Sequence, residues 1–334
     1  MLVSSALPFG RPEVTDSTMV RMIVKKGYPP MNTVVNRVPG WRPTWSIQSK
    51  NELAFCVEER VDAVQYGTDK LKDMVVVNGA VNASIDVENV PEVSVFISCD
   101  DGSVSNITLH SCTQRGTEIL GSSGLSVRFI PPPCPFMLGT YSVEAKTMLP
   151  IRGFLQMTEE SDKRVKLLLQ LKLQDGVSNS FEQFDAVLPF FNRGVISSAH
   201  THTSVSQGEV VVGPDRASLI WSLGPKITNA RMEAMLSCTV SFEATYGAVA
   251  AALERDKDPY CTGTTSYAML RFKINNWSPS SCHVDQRKVS VNPAPKSRPT
   301  ITFSRSCVSG DYKIWNCKSK ARHCVPIEFE PSFS

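Results

Sequence analysis

His200 and His202 stand two residues apart, on one face of any strand that carries them, which is the spacing of a metal-binding pair. No Cys or carboxylate beside them completes a ligand set, so they read as part of a plain exposed strand or loop. Cys282 and His283, with Asp285 nearby, suggest a thiol–imidazole pair, but neighbours in an extended chain point to opposite faces. Asp100-Asp101-Gly102 opens like a calcium loop, yet the further acidic ligands at loop spacing are missing, and a hairpin turn is the expectation. Ten cysteines (56, 99, 112, 134, 238, 261, 282, 307, 317 and 324) include no Cys-x-x-Cys pair of the zinc or redox kind. With no clustered acid, base, nucleophile or metal set, the expectation is a non-enzymatic protein without a cofactor.

The 334 residues carry 35 basic and 32 acidic side chains, a net charge of +3, far short of a nucleic-acid binder's excess. Electrostatic partners must therefore be sought in local patches, and two basic groups stand out. Lys163, Arg164, Lys166 and Lys172 form one; Lys313, Lys318, Lys320 and Arg322 with His323 form the other. Each reads either as a contact for anionic lipid headgroups or as a solvated strand face. The first ten residues are interrupted by Pro8 and Gly10 and have no basic start, unlike a secretion signal. No 18-residue apolar run exists, and the cytosol, where thiols stay reduced, is the expected compartment. The sequons at Asn82, Asn106 and Asn276 are then taken as chance.

The elements that must position these residues are strands. Val165, Leu167, Leu169, Leu171 and Leu173 alternate with Lys166, Gln170 and Lys172, leaving Leu168 as the exception. Similar alternation marks Val93–Ile97, Val210–Val212, Leu219–Leu223, Leu236–Phe242 and Ala268–Ile274. Asn78-Gly79, Asp101-Gly102 and Asp175-Gly176 sit where tight turns are expected. The 42% hydrophobic content supports a sizeable core, and the pattern predicts an all-β, sandwich-like architecture. Residues 1–44, rich in proline, read as a tail or linker with one short helix near 18–26; residues 321–334 read as a loose end. Residues 301–316 read as a closing strand, a Ser309-Gly310-Asp311 turn and a last short strand, with Trp315 lining a groove at the sheet edge.

The order of motifs resembles the mu homology domain, the cargo-binding module of the medium chains of adaptor protein complexes. Asn51–Val61 resembles its first strand, and Val76–Val81 through Val90-Pro91-Glu92 its second and third. Val127–Leu138, with Pro131-Pro132-Pro133, is similar to the family's proline-containing element, and Ser206–Glu209 through Leu219–Gly224 to its Trp-bearing hairpin. Asp258–Gly263, Cys282–Gln286 and Ser309–Asn316 are similar to the fifth-adaptor-complex branch of the family. The resemblance covers roughly residues 45–320. It implies an elongated, two-lobed antiparallel β-sandwich with one lobe inserted into the other: an outer lobe of 45–147 plus 278–320 and an inserted lobe of 148–277. Family chains also carry an N-terminal longin-like domain, which forty-four proline-rich residues cannot form, so the expectation is a fragment or a shorter form.

The resemblance further implies that the outer lobe takes a Tyr-x-x-bulky-hydrophobic signal as an added strand. The family meets the Tyr with an Asp, a Lys and a Trp-x-Arg pair; by motif these positions fall on Cys56, Ser84, Trp315 and Cys317. Only the Trp survives, so an altered cargo preference is expected, because Cys and Ser are poor partners for a buried phenol. The other reading of Trp315 is a packed strand-end aromatic. The implied partners are two large chains and a small chain of the fifth adaptor complex, spatacsin and spastizin, tails of membrane cargo and an anionic membrane surface, in transport from late endosomes and lysosomes. Clathrin is not implied. The alternative is a stand-alone mu-like interaction domain working outside any complex, for example in cell-death signalling.

Overall fold

The computed structural model describes residues 50–318, apart from 68–70, 88–91, 99–103, 115–117, 120–123, 133, 144–148, 162, 191–192, 202–205, 244–265 and 296. The N-terminal tail, the Asp101-Gly102 turn, the 258–263 motif, His202, Lys320 and the C-terminal end lie outside these residues. The strands are β1 (Glu52–Gln65), β2 (Met74–Asp86), β3 (Glu92–Ser98), β4 (Val104–Leu109), β5 (Glu118–Ile119) and β6 (Gly124–Phe129). They continue with β7 (Phe136–Val143), β8 (Ile151–Ser161), β9 (Arg164–Leu173), β10 (Phe181–Pro189), β11 (Ile196–Thr201) and β12 (Glu209–Val212). The last six are β13 (Ser218–Ser222), β14 (Glu233–Phe242), β15 (Tyr267–Asn275), β16 (His283–Val284), β17 (Ser290–Asn292) and β18 (Thr300–Trp315). Among the described residues the one helical turn is a 3₁₀ turn at Gln286–Lys288, capped by the Asp285 side chain.

A nine-stranded sheet in the order β12-β13-β10-β15-β18-β1-β2-β7-β4 contributes to two hydrophobic cores. A four-stranded sheet, β11-β14-β9-β8, covers it over the first core, around Leu167 and Trp221, and β16-β3-β6-β5, with β17 beside β3, covers it over the second, around Phe55 and Phe129. The alternation in β9 is what makes the first covering possible: Val165, Leu167, Leu169, Leu171 and Leu173 are all nearly fully buried. Burying each Leu is worth roughly 1.5–3 kcal/mol. The same face of β1 feeds both cores, with Val61 and Ala63 in the first and Leu53, Phe55 and Val57 in the second. The last strand does lie beside the first, but β18 and β1 run parallel, whereas the other pairings are antiparallel.

Two turns expected from sequence are not turns. Asn78-Gly79 lies inside β2. A Cβ on Gly79 would come within 2.1 Å of Tyr141 Cζ, so glycine is there to let an aromatic ring cross the strand. Ser309-Gly310-Asp311 lies inside one continuous sixteen-residue strand. Opposite it, Val61 pairs with Ser309 and Ala63 with Tyr312, so Asp62 alone faces two residues, the geometry of a β-bulge. The Asp62 carboxylate accepts the Asp311 amide at 2.6 Å, and Gly310 leaves room for Asp62 and Arg60. Asp175-Gly176 is the expected turn, with Gly176 at φ +82°.

Side-chain amides stitch the four-stranded covering sheet to the large one. Gln65 donates to the Ile151 carbonyl at 3.0 Å and accepts from the Gly153 amide at 2.8 Å. Asn316 accepts from the Met157 amide at 2.9 Å and donates to its carbonyl at 3.2 Å. Between them the Cys317 amide donates to Leu155 O at 2.9 Å. The edge of β8 is thus satisfied without a neighbouring strand, which removes a cost that unpaired buried backbone groups would impose.

Candidate functional site

The strand β18 has two differently placed halves. From Ser306 to Ile314 it runs between β15 and β1, with Trp315 paired to β15, whereas from Thr300 to Arg305 it pairs, among the described residues, with β1 alone. The Thr300 amide donates to Asn51 O on the β1 side at 3.0 Å. Backbone groups alternate sides along a strand, so Ile301 and Phe303 turn theirs to the other side, which no strand occupies among the described residues. At Arg305 that side is closed: its carbonyl accepts from the Asn276 amide at 2.9 Å, and its guanidinium donates to Asn276 O at 3.1 Å.

Beside this open edge runs a groove of about 550 Å³. Phe55, Val57 and Phe303 give it an apolar floor, and the segment His283–Arg287 forms the facing wall. Phe55 and Phe303, register partners on β1 and β18, stack with centroids 5.9 Å apart. The wall is held by pairing of β16 with β3 and by the Asp285 amide donating to Phe96 O at 2.8 Å. Lys288 lies 3.7 Å over the Phe96 ring. On the opposite face of the sheet the same strands present small uncharged groups, with Ser304 and Asn82 flanking Cys56, and Thr302 and Ser84 flanking Ala54. A strand added at Ile301–Phe303 would send alternate side chains into the apolar groove and over this small-residue face.

The four residues matched by motif do not meet. Cys56 and Ser84 are two register rows apart on the same face, both half-buried. Trp315 pairs with Tyr267 at the far end of β18, roughly 30 Å along the strand from Cys56. It is 5% exposed and packs edge-to-face on Tyr267 at 5.1 Å, with Tyr66 completing the cluster. Its ring is packed into that cluster, and at this point its strand pairs with β15. Cys317 lies beyond, spending its amide on β8. The last-strand residues that share a face with Cys56 and Ser84 are instead Thr302 and Ser304, which a motif search anchored on the lone Trp passes over. Phe303 was also missed; its signal was the alternation Ile301-Thr302-Phe303-Ser304 in register with Phe55.

The two basic groups fare differently. Lys163, Arg164 and Lys166 are exposed at the β8–β9 turn and along β9. Lys172 pairs with Glu233 at 3.1 Å. Lys313 is engaged by Asp311 at 3.1 Å and lies 5.1 Å over Tyr267, whereas Lys318 is exposed. His200 is exposed on β11, and Cys282 is buried while His283 is exposed, so the thiol and imidazole do point apart. Burial pushes the Cys238 thiol up to about 11 and the Cys307 thiol higher still, making both inert as nucleophiles. No group of three His, Cys, Asp or Glu able to hold a metal occurs among the described residues. No helix among them is long and apolar enough to cross a membrane.

This architecture is that of a mu homology domain. The mu homology domain of Fcho1 from Danio rerio, solved with a bound Eps15 peptide, matches with a TM-score of 0.55, covering 79% of this chain and 97% of that one at 11% identity. The yeast delta-COP-I mu-homology domain matches at 0.54, covering 78% and 97% at 12% identity. Residues 39–315 match the adaptor complexes medium subunit family, and the chain belongs to that family. Among its relatives, the AP-5 complex subunit mu-1 of Homo sapiens is 32% identical over 96% of this chain. The AP-5 complex subunit mu of Arabidopsis thaliana is 26% identical over 96%. The chain spans 65% of the length of the human relative and 57% of the plant one.

Proposed function

We propose that this protein is a non-enzymatic subunit of a fifth-type adaptor complex, serving as its cargo-recognition or scaffold module in transport from late endosomes and lysosomes. In this reading it is cytosolic, reaches those membranes peripherally, and works with two large chains, a small chain, spatacsin and spastizin. The outer lobe is taken as 45–147 plus 278–320 and the inserted lobe as 148–277. Relatedness to AP-5 mu subunits supports the complex. The observation that carries the mechanism is the open edge at Ile301–Phe303 beside the apolar groove. Backbone pairing there supplies affinity, and Phe55, Val57 and Phe303 select a bulky apolar side chain. On the other face, Cys56, Ser84, Thr302 and Ser304 offer no charge to a phenolic hydroxyl. The exposed Lys163, Arg164 and Lys166 are assigned to the anionic membrane surface.

The test is a titration of the full chain with Tyr-x-x-Leu peptides, their Tyr→Ala counterparts and their Leu→Ala counterparts. Micromolar binding that depends on Leu and not on Tyr is expected. Tyr-dependent binding would contradict the remodelled face, and no binding by any of the three would sink the strand-addition mechanism. Capture of the other complex subunits by the tagged chain checks the assembly separately.

A further inference from the structure

We infer that Glu59 is the positioning residue for the groove wall, acting through the crossover Ser278–Cys282 that delivers His283–Arg287 to the site. The inference rests on the docking reading above for its consequence, but its geometry stands alone. Glu59 lies on β1, four residues from Phe55, and is completely buried between the two cores that β1 feeds. Its carboxylate has no Lys or Arg in ion-pair contact among the described residues. It is held by donors instead: the Tyr141 hydroxyl at 2.6 Å, the Ser280 amide at 3.0 Å and the Ser280 hydroxyl. The Ser280 hydroxyl in turn accepts from the Cys282 amide at 3.1 Å. Such a buried carboxylate is tolerated only where hydrogen bonds replace its water, so the three donors and Glu59 are mutually dependent.

Three features show that this network, and not general packing, sets the crossover. Ser278 Oγ is buried on the same segment and finds no partner, while Ser280 gives both its amide and its hydroxyl to Glu59. Ser281, between the Glu59-bound residue and the groove, stands at φ +56°, a conformation non-glycine residues keep only when their surroundings hold it. Beyond it the wall enters a sheet through only two paired residues, His283 and Val284. Tyr141 reaches Glu59 only because Gly79 lets its ring cross β2. The wall of the groove is therefore fixed by residues on β1, β2 and β7 that no docked strand would touch.

Glu59→Gln is the decisive variant, since its amide can still accept from Tyr141 but presents a donor where the carboxylate took the Ser280 amide. Tyr141→Phe, which leaves both Ser280 bonds, is the comparison. Hydrogen exchange of the unliganded protein is read at 278–287 and, as a control for general loosening, at 165–173 in β9. Glu59→Gln should speed exchange at 278–287 roughly ten-fold or more, with β9 unchanged, and Tyr141→Phe should do so less. Unchanged exchange at 278–287, or equal acceleration in β9, overturns the inference. Where wild-type protein binds the Leu-bearing peptide, Glu59→Gln should weaken it several-fold, and undiminished affinity with a loosened wall also overturns the positioning role. If wild-type protein binds no peptide, the docking reading fails, and the exchange data alone still decide the role of Glu59.

Discussion

The two halves of β18 belong to one strand and follow opposite rules. Beyond the bulge at Gly310, Tyr312, Ile314 and Trp315 are buried, Tyr312 paired to β1, Trp315 to β15 and Ile314 to both, and they contribute stability. Before it, Ile301 and Phe303 have, among the described residues, a strand on one side only, and their backbone groups turn to the other. The large aromatic that draws the eye in the sequence belongs to the half that is structurally committed. The half open to binding looks plain. A residue's availability for recognition is thus set by how many neighbours its strand has, not by the chemistry of its side chain.

That contrast can be broken from either end. Trp315→Ala should have the largest effect, a loss of about 3–5 kcal/mol of stability in urea unfolding, without altered peptide preference in the folded protein. A change in peptide selectivity at full stability would erase the distinction between the halves. Phe303→Ala should do the reverse, costing about 1–2 kcal/mol of peptide affinity by calorimetry while moving the unfolding midpoint little. Smaller still is the charge effect: each of Lys163→Ala, Arg164→Ala and Lys166→Ala should weaken binding to phosphatidylserine vesicles by about 1 kcal/mol at most in co-sedimentation. Lys313→Ala, already engaged by Asp311, should change vesicle binding less than any of them.

A last effect is confined to alkaline pH. The buried Cys238 holds its proton to about 11 where a free thiol releases it near 9. A proton bound more tightly in the folded state stabilises that state below the unfolded value, and the contribution is lost as pH rises from about 9 to about 11. Stability of the wild type should therefore fall across that window more than in Cys238→Ala, and native-state iodoacetamide labelling should find the exposed Cys134 and spare Cys238.

The strand pattern was legible because period-two burial is local. Leu167, Leu169 and Leu171 announce a half-buried strand from six residues of sequence, and the Trp221 hairpin and the Asp175-Gly176 turn are equally self-contained. What escaped depends on distant partners. Gly79 reads as a turn until Tyr141 is seen crossing it, and Gly310 reads as a turn until Asp62 is seen holding the bulge. Glu59 sits in the run Glu58-Glu59-Arg60, which looks like a solvated face, because its donors come from 82 and 221 positions away. The placement of the four motif-matched residues was hidden for the same reason. Motif order located the family and its first strand, but only the β1–β18 register shows that Thr302 and Ser304, not Trp315 and Cys317, stand over Cys56 and Ser84.

The parallel pairing of the first and last strands also sets a clock for biosynthesis. Glu58 and Ser306, partners across that pairing, are 248 positions apart. A ribosome adding about 5–20 residues per second needs roughly 10–50 s to make the second after the first. Through that interval β1 can pair with β2, while its other side and the cores it must feed wait unfilled. The newly made outer lobe therefore leaves the ribosome as an unfinished sheet, and chaperones that cover bare strand edges have their longest opportunity on this stretch of the chain.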